Sequence, residues 1–278
     1  MNDTMAQTER LDYLLDFLIK DEDLQGQVSM PEDVEDKRKL LRALMNVRMP
    51  KIVPANVLAV QDAYLQERNK ERGIVKWQDL PDVQSSGSHL PMADHISLWQ
   101  GDITTLSVDA IVNAANSKML GCFVPLHNCI DNCIHTYAGI ELRLACARGM
   151  LQKQREYGSS YEQPTSVPML TSGYNLPASH VIHVVGPIIS GALTEQKEEE
   201  LAACYTNVLY LCVENHLRSV AFCCISTGVF HFPPEKASAI AVNTVTAWLQ
   251  KHPGVMDRVI FNVFTDQDRR YYEQQIFG

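Results

Sequence analysis

Apolar residues recur at Leu11, Leu14, Leu15, Leu18 and Ile19, and steps of three and four wind them into one stripe along a helix. A second helix is expected from Pro31, with Asp33 and Glu35 near its start and Leu40, Leu41 and Leu44 on its apolar side. A third is expected over residues 54–68. The stretch DLPDVQSSGSHLPMAD, residues 79–94, keeps no such period. It is dense in Pro, Ser, Gly and Asp, the composition of a connection. A boundary there gives a helical N-terminal extension with its linker, residues 1–88, and a larger domain, residues 89–278.

After the linker the period changes. ISLWQGDIT, AIVNAAN, SVPML, HVIHVVG, SVAFCCIS and RVIFNVF are short apolar runs of strand length. Helical spacing fills residues 128–157, 194–215, 234–251 and the C-terminal stretch. Strands interleaved with helices of this length imply an α/β domain whose mostly parallel sheet is covered on both faces. Ligands of such sheets bind at the carboxyl ends of the strands. The loops at residues 113–116 and 226–232 fall there.

Charge narrows the range of partners. With 24 Lys and Arg against 33 Asp and Glu the formal net charge is −9. Without a basic patch such a chain repels a polyphosphate backbone, so long nucleic acid is not an expected partner. A small phosphate held by backbone amides remains compatible with it. No apolar run is long enough for a membrane span. The acidic, amphipathic N-terminal stretch lacks the features of a secretory signal. The expected location is the cytoplasm, where the eight cysteines stay reduced.

Three of those cysteines and two histidines fall in GCFVPLHNCIDNCIH, residues 121–135. Cys122, His127 and Cys129 make C-x4-H-x-C, a donor set that suits zinc and leaves a fourth position open. Cys133, one helical turn beyond Cys129, would close the shell instead, and His135 is a poorer candidate. The competing reading is a run of thiols packed in a core. Cys146, Cys204, Cys212, Cys223 and Cys224 lie in plain helical or strand patterns and read as core.

GDIT (residues 101–104), IVNAAN (111–116) and STGVFHFP (226–233) together resemble the macrodomain family, the ADP-ribose-binding fold. With G-C-F-x2-L-H-x-C-I-D following NAAN, the chain resembles in particular the zinc-dependent macrodomain hydrolases of bacteria and fungi, which also carry a helical N-terminal extension. The resemblance implies a three-layer α/β/α domain with a mixed, mostly parallel sheet. It implies that Asp102, with the backbone of Ile103, receives the adenine, and that Asn116 holds the distal ribose. Ser226, Thr227, Gly228, Val229 and Phe230 would wrap the diphosphate, with Gly228 supplying unusual dihedrals. Cys129, Ile130 and Asp131 would lie by the phosphate and ribose, Asp131 with a catalytic role beside Asn116. Zn²⁺ would sit on Cys122, His127 and Cys129. Macrodomain hydrolases without zinc carry a glycine-rich stretch after NAAN, whereas SKMLGCFVPLH stands here.

The implied activity is removal of mono-ADP-ribose from modified protein side chains, acidic ones foremost. The alternatives are a reader of ADP-ribosylated protein with a structural zinc, or hydrolysis of O-acetyl-ADP-ribose or ADP-ribose 1″-phosphate. In that family a lipoyl-carrier protein and a sirtuin-type transferase are the associated partners. The polar faces of the N-terminal helices read as solvated surface, with docking of a protein substrate as the alternative.

Overall fold

A computed structural model describes residues 5–278; the first four residues of the acidic N-terminal stretch lie outside the described residues. The extension consists of three helices, α1 (Gln7–Asp21), α2 (Val34–Val47) and α3 (Ala55–Arg72). Asp33 starts α2 by accepting from the amides of Glu35 and Asp36, two donors that a helix leaves free at its first turn. The stripe of α1 is buried against Leu41, Leu44 and Met45 of α2 and Val57, Val60, Tyr64 and Leu65 of α3. These side chains form a small core of their own, closed on one side by Ile140.

The stretch read as a linker is anchored rather than loose. Leu80 and Val83 are buried in the core of the larger domain. The Val83 amide donates to the Ile96 carbonyl at 2.8 Å, and the Ser88 hydroxyl to the Ile276 carbonyl at 2.6 Å. Two apolar residues among Pro, Ser and Gly set no period, so the local pattern has no way to register this packing.

After α3 and ahead of residue 89 comes β1 (Val75–Lys76), and the larger domain then supplies β2 (Ile96–Gln100), β3 (Leu106–Ser107), β4 (Ala110–Ala115), α4 (Ile130–Ala138), α5 (Ile140–Tyr157), β5 (Met169–Ser172), β6 (His180–Val185), α6 (Glu195–Glu214), β7 (Ser219–Phe222), α7 (Pro234–Lys251), β8 (Arg258–Val263) and α8 (Asp266–Phe277). Six strands form one sheet in the order β2-β8-β7-β4-β6-β5, and β1 pairs with β3 apart from it. All neighbours in the sheet are parallel except β5, which runs antiparallel to β6. The register separates the two faces. Asn113 pairs with His183, and both face α4 and α5 through Asp131 and Cys146. Phe222 lies on the opposite face, given the pairing of Ala110 with Val220. There its ring meets Tyr205 of α6 at 4.9 Å. The domain is therefore a three-layer α/β/α fold with a mixed, mostly parallel sheet, as the resemblance implies.

Two elements differ from the sequence expectation. The helical pattern of residues 128–157 is broken at Gly139, whose φ of 100° only glycine adopts readily. The side-chain oxygen of Gln61 in α3 accepts from the Ile140 amide at 3.0 Å and so caps the second helix from the extension. The run SVPML enters the sheet late: β5 starts at Met169, after the left-handed Ser166.

Candidate functional site

Strands β2, β4, β6 and β7 are mutually parallel through the sheet, so their carboxyl ends share one edge. That edge receives the loop at Asp102, the segment from Asn116 to the start of α4, Gly186 and the loop leading to Phe232. The chain thus concentrates there every segment that its sequence singles out.

Cys122, His127 and Cys129 bring their ligand atoms within 4.8 Å of one another, all three half-buried. The Cys122 Sγ stands 3.5 Å from His127 Nδ1. Ligands placed about 2.0–2.3 Å from one ion lie less than about 4.6 Å apart, so the group fits a single metal ion after small adjustments. Cys129 precedes α4 without capping it, leaving its thiol free to turn toward the other two. Burial pushes that thiol up to about 12, so a thiolate there calls for a bound cation. Cys133 is not in the group; the Arg42 guanidinium donates to its Sγ at 3.6 Å.

Behind the loop lies a buried polar network. Asp131, at 5% relative exposure, points inward rather than capping the helix. It accepts from Asn113 Nδ2 at 2.8 Å and from Asn116 Nδ2 at 3.3 Å. Burial pushes its carboxyl up to about 6, against the Asn113 hydrogen bond and the charge of Arg143. His135 stands 3.5 Å from Asp131, yet neither ring nitrogen has a hydrogen-bond partner among the described residues. Its ring rests on Gly121, where a Cβ would come within 2.8 Å of it. Asn116 also donates to the Gly121 carbonyl at 3.2 Å and accepts from the Lys118 amide at 3.0 Å. Its side chain therefore shapes the turn and touches Asp131 at once.

The loop after β7 turns through two left-handed residues, Ser226 (φ 65°) and His231 (φ 58°). Gly228 does not supply the unusual dihedrals expected of it; the space around its Cα is open. Among the described residues the amides of Gly228, Val229 and Phe230 donate to no backbone carbonyl, whereas Phe230 accepts from the Ile189 amide at 2.9 Å. Ser226 packs so closely on Gly186 that a Cβ there would stand 2.0 Å from its hydroxyl. At the other end, Asp102 accepts from the Thr104 amide at 2.9 Å and forms an ion pair with Arg72 of α3. The Arg72 guanidinium also lies 3.4 Å from the centre of the Tyr137 ring.

The Macro domain family matches residues 112–241. A protein of Treponema medium named protein-ADP-ribose hydrolase is 46% identical over 270 residues, covering 97% of this chain and 99% of that one. The chain belongs to the macrodomain family. A Staphylococcus aureus macrodomain relative with the same name is 42% identical, covering 95% of this chain and 94% of its own. Among solved structures, the Trypanosoma brucei macrodomain in complex with ADP-ribose superposes with a TM-score of 0.63 at 28% identity, over 88% of this chain and 96% of that one.

In this macrodomain the sequence-derived residues Asn116, Cys122, His127, Cys129, Ile130 and Asp131 lie on one segment between β4 and α4 or in the first turn of α4. Asp102 and Ile103 sit after β2, and Ser226, Thr227, Gly228, Val229 and Phe230 after β7. Sequence reasoning missed Asn113 and His183 as partners in the Asp131 network, and Arg42, Asn46 and Arg143 around the loop that bears Cys122 and His127. Asn113 and His183 occupy inward positions of apolar strands, where a polar side chain costs free energy unless it is bonded. That cost was the available signal.

Proposed function

We propose that this macrodomain hydrolyses the bond joining ADP-ribose to a protein side chain, with zinc held by Cys122, His127 and Cys129. The observation that carries this reading is the position of the three-donor group, on the segment that also bears Asn116 and Asp131. The relatives named protein-ADP-ribose hydrolase over nearly their whole length support it. Two thiols and an imidazole are donors that zinc prefers, and three protein ligands leave it an open position. Bound there, zinc would supply Lewis-acid charge beside the scissile bond, softened by two thiolates that cancel its formal charge.

The chain's own residues do the rest in this reading. The free amides of the loop after β7 receive the diphosphate as anion donors. Asp102 and the backbone of Ile103 receive the adenine. Asn116 holds the distal ribose, and Asp131 sets its orientation from behind. A carboxylate only 5% exposed is better placed to orient Asn116 than to take a proton from water. Mono-ADP-ribosylated protein, modified on Asp or Glu, is the proposed substrate, and a modified lipoyl-carrier protein belongs among those assayed.

The test is release of ADP-ribose from an Asp- or Glu-modified protein, with zinc quantified on the same sample. Zinc-loaded protein is expected to release ADP-ribose, and Cys129→Ala to lose both metal and release while still binding ADP-ribose. Tight binding without release from any linkage would make the protein a reader instead.

A further inference from the structure

The loop that carries Cys122 and His127 has no regular structure and contains three left-handed residues, Met119 (φ 59°), Gly121 (φ 80°) and Leu126 (φ 59°). Such a backbone does not hold its shape alone; outside groups must fix it. They come from two sides. Arg143 of α5 donates to the Leu120 and Cys122 carbonyls at 2.8 and 3.4 Å, and Asn116 to the Gly121 carbonyl at 3.2 Å. On the other side, α2 of the N-terminal extension holds the half of the loop that carries His127. Arg42 of α2 donates through Nη2 to the His127 carbonyl at 2.7 Å and to Asn132 Oδ1 at 2.9 Å. The Asn132 amide in turn holds the Val124 carbonyl at 2.9 Å. Asn46, also on α2, accepts from the Leu126 amide at 3.0 Å and donates to Thr136 at 3.1 Å. Backbone groups at Val124, Leu126 and His127 are thus set directly or through one residue by α2.

Asn46 is itself informative. It is 1% exposed although it carries a polar side chain in the last turn of α2. Burying its amide is unfavourable unless its polar atoms find partners, and its two partners, Leu126 and Thr136, lie in the loop and in the helix that follows it. Docking of the extension as such is served elsewhere, by Gln61 on Ile140 and by Asn69 on the Asn175 carbonyl at 2.6 Å.

We propose that Arg42 and Asn46 are positioning residues for the metal loop, so that the N-terminal extension is the outer frame of the site rather than an added cover. They hold the backbone so that Cys122 and His127 meet Cys129 without the loop having to be ordered when the ion binds. This inference rests on the metal reading above.

The experiment loads full-length protein with zinc and follows its release to a chromogenic chelator, alongside the absorption spectrum of the cobalt form. Thermal unfolding of the metal-free protein is measured in parallel. Removal of an outer partner of a metal ligand commonly weakens the site about 10–100-fold. Asn46→Ala and Arg42→Ala are therefore expected to speed release about 10–100-fold and to shift the cobalt bands. Arg42→Lys, which keeps the charge but loses the forked geometry, should fall between them and the parent. Asn69→Ala, which loosens docking away from the loop, should lower the unfolding temperature and leave release at the parental rate. Parental release rates in Asn46→Ala and Arg42→Lys, or equal acceleration by Asn69→Ala, overturn the proposal alone. A parent protein that takes up no zinc overturns the metal reading, and this inference with it.

Discussion

Two groups of Cys and His meet at Gly121. The outer one is Cys122, His127 and Cys129, half-buried; the inner one is His135, Cys146 and His183, buried throughout. Both bring three ligand atoms within 4.8 Å, so residue type and distance do not separate them. The protons do. Asn113 gives one amide hydrogen to Asp131 and the other to His183 Nδ1 at 3.0 Å. The reverse orientation of Asn113 would set its oxygen against the carboxylate. His183 Nδ1 is therefore an acceptor, and Nε2 carries the hydrogen that reaches Thr171 Oγ1 at 2.9 Å. A ring nitrogen bearing hydrogen offers a metal no lone pair. Burial pushes Cys146 up to about 12 and His183 down to about 3, keeping both neutral. The same side chains make a candidate metal site where a loop presents them with lone pairs free. They read as core where the two flanking strands have already committed His183 to Asn113 and Thr171.

The contrast is broken if metal follows the inner group. Cys129→Ala is expected to abolish zinc uptake and lower ADP-ribose release at least ~100-fold, since a ligand loss exceeds the loss of an outer partner. Zinc content by emission spectroscopy and single-turnover release would show it. Next in size, His183→Ala should leave zinc content unchanged but destabilise the fold by about 3–5 kcal/mol. It opens a cavity and strands Asn113 and Thr171 without partners, which denaturant unfolding would measure.

The pH dependence of stability sharpens the same point. His183 titrates at about 3 when folded and near its ordinary value of about 6.5 when unfolded. The unfolded chain therefore binds the extra proton first. Stability is full above about pH 6.5 and falls as pH drops toward 3, by about 1.4 kcal/mol per pH unit for this one group. Asp131, raised to about 6, works in the opposite direction between about pH 6 and 4, because the folded carboxyl takes its proton first. Replacing His183 by Gln should flatten the acid limb of a plot of unfolding free energy against pH.

Gly121→Ala should cost about 1–3 kcal/mol in stability, since the residue sits at φ 80° and a Cβ would press on the His135 ring. As the contact point of the two groups, it should also loosen metal binding, as seen by faster chelator capture. The smallest effect is expected from Cys146→Ala, about 1 kcal/mol in stability with zinc content at the parental level. A fall in zinc with Cys146→Ala would refute the distinction drawn between the two groups.

Much of the architecture was legible locally. The leucine spacing of α1, the alternation of strands and helices, and the loops at Asn116 and Ser226 were visible because each is a pattern within a short window. The break at Gly139 was not, because apolar spacing continues across it; only the φ of one residue and the reach of Gln61 from α3 decide it. Arg42 and Asn46 read as polar positions of an amphipathic helix, the same appearance as a solvated face. Their partners lie 80–91 residues further along the chain, beyond any periodicity. Asp131 could equally have capped α4. Its inward turn depends on Asn113, which a strand pattern registers only as one exception among apolar residues.

Arg143 ties this arrangement to the order in which the chain is made. Its guanidinium donates to the carbonyls of Met45, Asn46 and Arg48 at 3.1, 2.8 and 2.5 Å. The first two are among the last carbonyls of α2, groups that a helix has no means of satisfying itself. On a growing polypeptide these carbonyls emerge 95–98 residues before the arginine that binds them. At roughly 5–20 residues per second, that interval is roughly 5–20 seconds in which water is their partner. The extension, synthesised ahead of the macrodomain, is thus completed only once α5 has followed it.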